Sequence, residues 1–344
     1  MSVSELLGES ETEHSVTAHP IGSSVSAALL SYGRERRPAD PPSLENLRRR
    51  VDEAWSIWQT SIYRYSDASR IIVDLISDVE HARRALPPTD DAKRRRQLEQ
   101  IAADLYFLLR SFTRRIGRSD LSMLVADRAL RAAEAADDPL RIAAARWNLG
   151  HVLLAHGEAE GAEDVVVRAA EQVRRDIGDD CADALALRGA LYLTEAVAAV
   201  RKGDGWKARD ILRELAWPLA QRTGEGNVMW TVFGPTNVGL HAVSIEMESG
   251  EAAQALRLAD HVDASTSPSL ERRTTFALEV ARCHEQRRDD PAVLLHLMIA
   301  EQTGPEDLRY NPLARDLIHG LVKRARPTYA GHVKAFAERI GVLS

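Results

Sequence analysis

The sequence has few of the features that identify secreted, membrane or metal-binding proteins. Its 344 residues include two cysteines, which excludes a disulfide framework and a cysteine-based zinc site and suits a reducing compartment. No apolar run approaches the roughly 20 residues of a transmembrane helix. The acidic start lacks the basic and apolar regions of a secretory signal. We therefore expect a cytoplasmic protein without membrane contact.

The charge balance disfavours a nucleic-acid-coating protein. The net charge is −6, and 28% of the residues are charged. Basic clusters occur at 48–50 and 93–96, but acidic residues such as Asp90, Asp91 and Glu99 lie among them and aromatic residues do not. We interpret these clusters as solvated helix faces, and direct DNA binding is not expected for this chain.

Apolar periodicity predicts an all-α protein. Residues 1–42 are polar and are predicted to be mostly disordered. Ser43 is a suitable N-cap, and from there to residue 344 most windows place apolar residues at i, i+3, i+4 and i+7. The chain therefore divides into an N-terminal segment, 1–42, and a helical domain, 43–344.

Short turn motifs recur every 39 to 47 residues and indicate repeated helix pairs. The turns lie at Gly117, Gly157, Gly203, Gly250 and, without a glycine, Arg288-Asp289. Small or apolar residues follow five positions later, at Ser122, Ala162, Ala208, Ala255 and Leu294. The positions twelve later are Ala129, Ala169, Leu215, Val262 and, less typically, Glu301. Glycine ends the first helix, and a small residue lets the second helix cross it closely.

This pattern resembles the tetratricopeptide repeat (TPR), in which a glycine is followed five and twelve residues later by alanine. The resemblance covers about residues 100–304, with a period longer than the usual 34 residues and no glycine in the last repeat. It implies a TPR-like right-handed superhelix of antiparallel helix pairs, followed by C-terminal capping helices over 305–344. The alternative is a helical bundle without repeats.

Further segments resemble the repeat half of actinobacterial regulators that carry a helix-turn-helix of the phage-repressor type. They are the helix opening at 42–58, Trp147-Asn148-Leu149-Gly150-His151, the stretch from Phe233 to His241, Glu271-Arg272-Arg273 and Leu308–Leu313. In such regulators this half is a sensor or dimerisation domain. Residues 1–42 are too short and too polar for the DNA-reading half. Either the protein is a stand-alone repeat protein or its true start lies upstream.

The expected binding surface is the concave groove formed by the first helix of each pair. Counting back from each turn, and adding the aromatic residues beside Gly234-Pro235, gives the candidate ligand-binding residues Phe107, Trp147, Asn148, His151, Trp230, Phe233, Asn237, His241 and Glu279. Aromatic plates, amides and imidazoles on one wall suit a peptide or a small amphipathic ligand. The alternative for the distinctive stretch 230–237 is a helix start packed by two aromatic residues.

Signatures of enzymes and metal sites are missing from the sequence. The chain contains no HExxH, GxSxG, P-loop, GxGxxG or kinase motif. No catalytic residue, metal ligand or cofactor is therefore predicted.

Three functions remain open. The first is a regulatory protein that binds a small signal molecule or short peptide and acts through a protein partner, a DNA-regulatory partner or a second copy. The second is an enzyme that uses the same groove for a hydrophobic substrate. It would need a titratable group deep in the groove, and the candidates are His151, His241 and Glu279. The third is a scaffold that binds proteins away from the groove. Convergence of Trp147, Asn148, Asn237 and His241 would favour the first over the third.

Overall fold

A computed structural model of the chain describes residues 21–30, 40–86 and 91–343. These residues form helices and no strand, which confirms the all-α prediction. Every helix in this part of the chain is too short or too polar to span a bilayer. The helices are α1 Gly22–Leu30, α2 Leu44–Thr60, α3 Arg64–Ala85, α4 Ala92–Arg115, α5 Ser119–Ala135, α6 Pro139–Ala155, α7 Ala159–Asp176, α8 Ala182–Arg201, α9 Gly205–Asp210, α10 Trp217–Thr223, α11 Pro235–Glu248, α12 Ala252–Ala259, α13 Leu270–Gln286, α14 Asp290–Thr303, α15 Pro305–Tyr310, α16 Pro312–Arg324 and α17 Pro327–Ile340.

Helices that are adjacent in the sequence pack against each other. The pairs are α4 with α5, α6 with α7, α8 with α9, α11 with α12, and α13 with α14. Successive pairs also touch, since α7 packs on α8 and α5 packs on α6. The buried apolar residues therefore continue from one pair to the next, as expected for helices that each expose one apolar face to a neighbour.

The five predicted turns share one backbone conformation. Gly117, Gly157, Gly203 and Gly250 have φ between 78° and 87°, and Arg288 has φ 60°. In each turn the next residue's N–H donates to the carbonyl five residues earlier, over 2.9 to 3.0 Å. This is the bonding of a helix C-terminus closed by a left-handed residue, a conformation in which glycine avoids the Cβ clash.

The structure corrects the alignment of the fifth repeat. Arg288, and not Asp289, takes the left-handed position of the turn glycines. The residues five and twelve positions later are then Val293 and Ala300, both fully buried, instead of Leu294 and Glu301. The fifth repeat therefore has the same pattern of buried residues as the others. It differed in the sequence only because its turn was predicted one residue too late.

A π-helical segment explains why Leu215 is 40% exposed although it occupies the twelfth position after Gly203. The chain from α9 to α10 passes through a π-helix at Ile211–Ala216. A π-turn holds one more residue than an α-turn. The inward position moves by one residue, and Ala216 is fully buried in its place.

The ends of the helical domain carry further helices. Of the predicted N-terminal segment, residues 1–20 and 31–39 lie outside the described residues. Residues 22–30 form α1, which packs on α3 and buries Val25 and Leu29. As predicted, Ser43 caps α2, its hydroxyl accepting from the Asn46 N–H. At the C-terminal end, α15, α16 and α17 each begin with a proline, which suits a first helical turn.

The shared turn conformation predicts opposite effects at Gly203 and Arg288. Gly203→Ala is expected to destabilise the protein by about 1 kcal/mol, because a Cβ disfavours the left-handed region. Nothing lies within 4 Å of that Cβ, so the backbone alone produces the cost. Arg288→Gly is expected to stabilise by up to about 1 kcal/mol. Urea unfolding measures both changes.

The control for this pair is Gly331→Ala inside α17, where an added Cβ also meets nothing within 4 Å. It is expected to stabilise by up to about 1 kcal/mol through helix propensity. Equal effects of Gly203→Ala and Gly331→Ala would contradict the assignment of the turn.

Candidate functional site

A cavity of about 560 Å³ lies where the first helices of the five pairs converge. Its walls come from α4, α6, α8, α11 and α13, together with α2, the segment before α11 and the start of α16. One volume is therefore bounded by residues that are more than 200 positions apart in the sequence.

Six of the nine predicted binding residues line this cavity, namely Trp147, His151, Trp230, Asn237, His241 and Glu279. The other three lie outside its walls. Phe107 is fully buried in the apolar core of α4. Phe233 is 1% exposed, and its ring occupies the space that a Cβ at Gly189 would fill.

Asn148, the third of these residues, supports the wall from behind. Its Oδ1 accepts from Arg110 Nε at 2.7 Å, and its Nδ2 donates to the Ala144 carbonyl at 2.8 Å. The guanidinium of Arg110 lies 5.4 Å from the ring centre of Trp147. Asn148 thus positions a cavity arginine.

Aromatic rings form much of the apolar wall. Trp55 and Trp230 stack with their ring centres 4.6 Å apart and their planes 5° apart. Trp147 meets the ring of His151 edge-on at 4.5 Å. Trp58 donates from Nε1 to Ser111 Oγ at 3.3 Å. These rings offer flat surfaces on which a planar ligand group can stack.

The segment that carries Trp230 has an unusual backbone. Met229, Trp230 and Val232 all have φ between 48° and 59°, a region that costs a non-glycine residue on the order of 1–2 kcal/mol. A reciprocal pair of amide hydrogen bonds between Gln59 and Asn227 holds the start of the segment against α2. The strained backbone directs Trp230 and Val232 into the cavity wall.

One end of the cavity contains a partly buried carboxylate surrounded by arginines. Glu271 Oε1 accepts from Arg115 Nη2 at 2.5 Å, and Oε2 lies 3.3 Å from Arg64 Nη1. Arg114 Nη2 is 3.8 Å from Oε1. Burial alone raises the pKa of Glu271, but the charges of these arginines outweigh burial and hold that pKa well below its ordinary value.

The remaining arginines at this end are less well neutralised. Burial, reinforced by Arg114, lowers the pKa of Arg110 to about 9. Burial, reinforced by Arg115, lowers the pKa of Arg114 to about 10. Burial likewise lowers the pKa of Arg272. Values of 9 and 10 leave Arg110 and Arg114 charged at neutral pH, so this end of the cavity is strongly positive.

The middle of the cavity contains neutral polar groups. Burial, followed by the charge of Arg272, lowers the pKa of His241 to about 3. Burial and Arg110 lower the pKa of His151. Both imidazoles are therefore neutral at pH 7, and His241 Nδ1 lies 2.8 Å from the Asn237 carbonyl. Asn237 is 3% exposed, and its Oδ1 has no hydrogen-bond partner among the described residues.

Glu279 lies two helical turns beyond Glu271 on α13, or about 12 Å along the helix axis. Its Oε2 is buried without a hydrogen-bond partner in the described part of the chain, and Arg282 is 3.7 Å away. Burial raises the pKa of Glu279 to about 7, against the charge of Arg282. The two ends of the cavity therefore differ in charge.

Sequence reasoning did not select several cavity residues, namely Trp55, Trp58, Arg110, Arg114, Glu271 and Arg272. One local sign was available: Arg110 and Arg114 stand four residues apart in the otherwise apolar stretch of α4. Such spacing places both on one helix face. The two tryptophans belong to α2, which precedes the recognisable repeats and so was not counted as groove-forming.

The described residues contain no group of three or more His, Cys, Asp and Glu side chains that could hold a metal ion. No protein-family model and no curated protein matches the sequence. The chemistry of the cavity therefore has to be inferred from its own residues.

Glu279 predicts a pH-dependent stability. A carboxyl whose folded-state pKa lies above its unfolded value stabilises the folded state below pH 4.5, and this contribution is lost as the pH rises to about 7. Glu279→Gln is expected to remove that loss, and to be more stable than the wild type above pH 7 by about 1–3 kcal/mol. Thermal melting between pH 4 and pH 8 measures the difference.

The wild-type curve alone does not isolate Glu279, because His151 and His241 contribute in the opposite direction. Their depressed pKa values remove stability as the pH falls below 6.5. The difference between wild type and variant cancels this term. Glu134→Gln, on an exposed helix face, is the matched control. Parallel pH profiles for wild type and Glu279→Gln would contradict the prediction.

Proposed function

We propose that this chain is a regulatory, TPR-like protein that binds a small signal molecule or a short peptide in its cavity. We further propose that its helix pairs form the right-handed superhelix that the turn motifs predict. The observation that carries the proposal is the 560 Å³ cavity, whose walls combine four tryptophans with buried and unpartnered polar atoms.

The size and lining of the cavity favour a small ligand. Binding sites for small molecules usually occupy about 300–1,000 Å³ and combine apolar walls with a few placed polar groups. The unpartnered Asn237 Oδ1 supports this interpretation, because a buried acceptor without a donor costs on the order of 1–3 kcal/mol. A ligand that donates a hydrogen bond there recovers this cost.

The position of the cavity suggests how binding produces an output. A ligand that touches α4, α6, α8, α11 and α13 bridges five helix pairs at once. Small rotations between stacked pairs accumulate along an array, and a ligand favours the curvature that fits it best. The altered surface would then be recognised by a protein partner, a DNA-regulatory partner or a second copy of the chain.

Tryptophan fluorescence tests this proposal, because the six tryptophans divide into two groups. Four line the cavity, whereas Trp206 and Trp217 are 78% and 41% exposed and lie elsewhere. In the variant Trp206→Phe/Trp217→Phe the emission comes from the cavity alone. We expect the small-molecule fraction of an extract from the native cell to shift this emission.

The control adds Asn237→Ala and His241→Ala to the same background. These changes remove a hydrogen-bond acceptor and an imidazole from the wall while leaving the tryptophans in place. We expect the extract concentration needed for half of the shift to rise at least about tenfold. A shift that is equal in both proteins, or absent from a folded protein, would overturn the proposal in favour of a scaffold that does not use the cavity.

A further inference from the structure

The basic end of the cavity holds more positive than negative charge. Five guanidinium groups interact there, those of Arg64, Arg110, Arg114, Arg115 and Arg272. The carboxylates with the largest effect on this group are Glu271 and Asp307. Five guanidinium groups therefore share two carboxylates, which leaves an excess of positive charge at this partly buried end of the cavity.

The two carboxylates are already engaged by particular arginines. Arg64 is 1% exposed, pairs with Asp307, and lies 4.3 Å from the ring centre of Trp58. Arg115 bonds to Glu271 through both Nε and Nη2. These arginines hold helices together and do not line the cavity as free donors.

Arg114 and Arg272 have donors left over. Arg114 Nε is buried without a hydrogen-bond partner in the described part of the chain, and its contact with Glu271 is long at 3.8 Å. The guanidinium of Arg272 makes neither a hydrogen bond nor an ion pair with any described residue. Both side chains line the cavity beside Arg110, whose Nε is used by Asn148.

Guanidinium groups that share too few carboxylates repel one another in a partly buried site, and an oxyanion is the group that relieves this repulsion most directly. Guanidinium forks match carboxylate and phosphate oxygens in geometry as well as in charge.

We infer that Arg114 and Arg272 bind the oxyanion of the ligand, a carboxylate or a phosphate, and that the tryptophan walls hold a planar apolar body attached to it. This inference rests on the proposed function and specifies its ligand. The Glu279 carboxyl lies about 10 Å beyond Arg272 along α13. When ionised it repels an anion and so orients the charged group toward the arginines.

The experiment measures thermal melting with defined probes at constant ionic strength. The probes are inorganic phosphate, benzoate and phenyl phosphate, with benzyl alcohol as the neutral probe. At ten times its dissociation constant an oxyanion is expected to raise the melting temperature by about 2 °C. Comparing benzoate with phenyl phosphate shows whether the site prefers a carboxylate or a phosphate. Comparing phenyl phosphate with inorganic phosphate measures the contribution of the phenyl ring.

The decisive variant is Arg114→Gln/Arg272→Gln, which keeps hydrogen-bonding groups but removes two charges from the cavity. Arg131→Gln/Arg168→Gln is the matched control, since both arginines are 75% exposed in surface ion pairs and the net charge changes equally. We expect the saturable rise in melting temperature to disappear in the cavity variant and to persist in the control.

A second readout separates a binding role from a structural one. Without ligand, Arg114→Gln/Arg272→Gln is expected to melt at or above the wild-type temperature, because it relieves repulsion among neighbouring guanidinium groups. A lower melting temperature would show that the two arginines stabilise the fold and would overturn the inference.

Two further outcomes also contradict the inference. They are no saturable rise with any oxyanion in the wild type, and an equal rise in both variants. If no oxyanion binds while the cell extract still shifts the cavity fluorescence, the proposed function stands and the anion site alone fails.

Discussion

The partly buried carboxylate of Glu271 joins parts of the chain that are far apart in the sequence. It accepts from Arg115 at the end of α4 and contacts Arg64 at the start of α3, while it is itself in the first turn of α13. Removing one partner of such an ion pair destabilises the protein, because the remaining charge stays partly desolvated. The first and last parts of the helical array are therefore held around one anion, and the cavity lies beside it.

This arrangement also explains the opposite electrostatic character of the cavity ends. Arginines from α3, α4 and α13 lie together around Glu271. They outnumber the carboxylates that could neutralise them. Glu279 is kept apart from them by two turns of α13 and is buried with a raised pKa. If the cavity binds an anion as we propose, stability and ligand binding compete here, since the charges that would best recognise an anion are those that repel one another in the fold without ligand.

The sequence predicted much of the helical frame and part of the site. Turn glycines located the helix ends because a left-handed residue is needed there. Five groove residues counted from the turns line the cavity, together with Trp230, which was predicted from its place near Gly234-Pro235. Phe107 was placed at the groove by the same counting, yet it is fully buried in the core. Counting along one helix does not show which neighbour covers each face. Leu215 and Glu301 were misplaced for local reasons, a π-turn in one case and a one-residue shift of the turn in the other.

The sequence by itself determined the all-helical class, the N-cap at Ser43 and the positions of the four glycine turns, because these depend on interactions within a few residues. Only the tertiary structure decided that Trp55 stacks on Trp230, that Arg64 meets Glu271 and that Arg114 and Arg272 share a cavity wall. Those contacts join residues 158 to 207 positions apart, and their geometry depends on how successive helix pairs stack. Glu271 meets its arginine partners only after the helix pairs have stacked, so the sequence alone does not show which arginines remain without a close carboxylate.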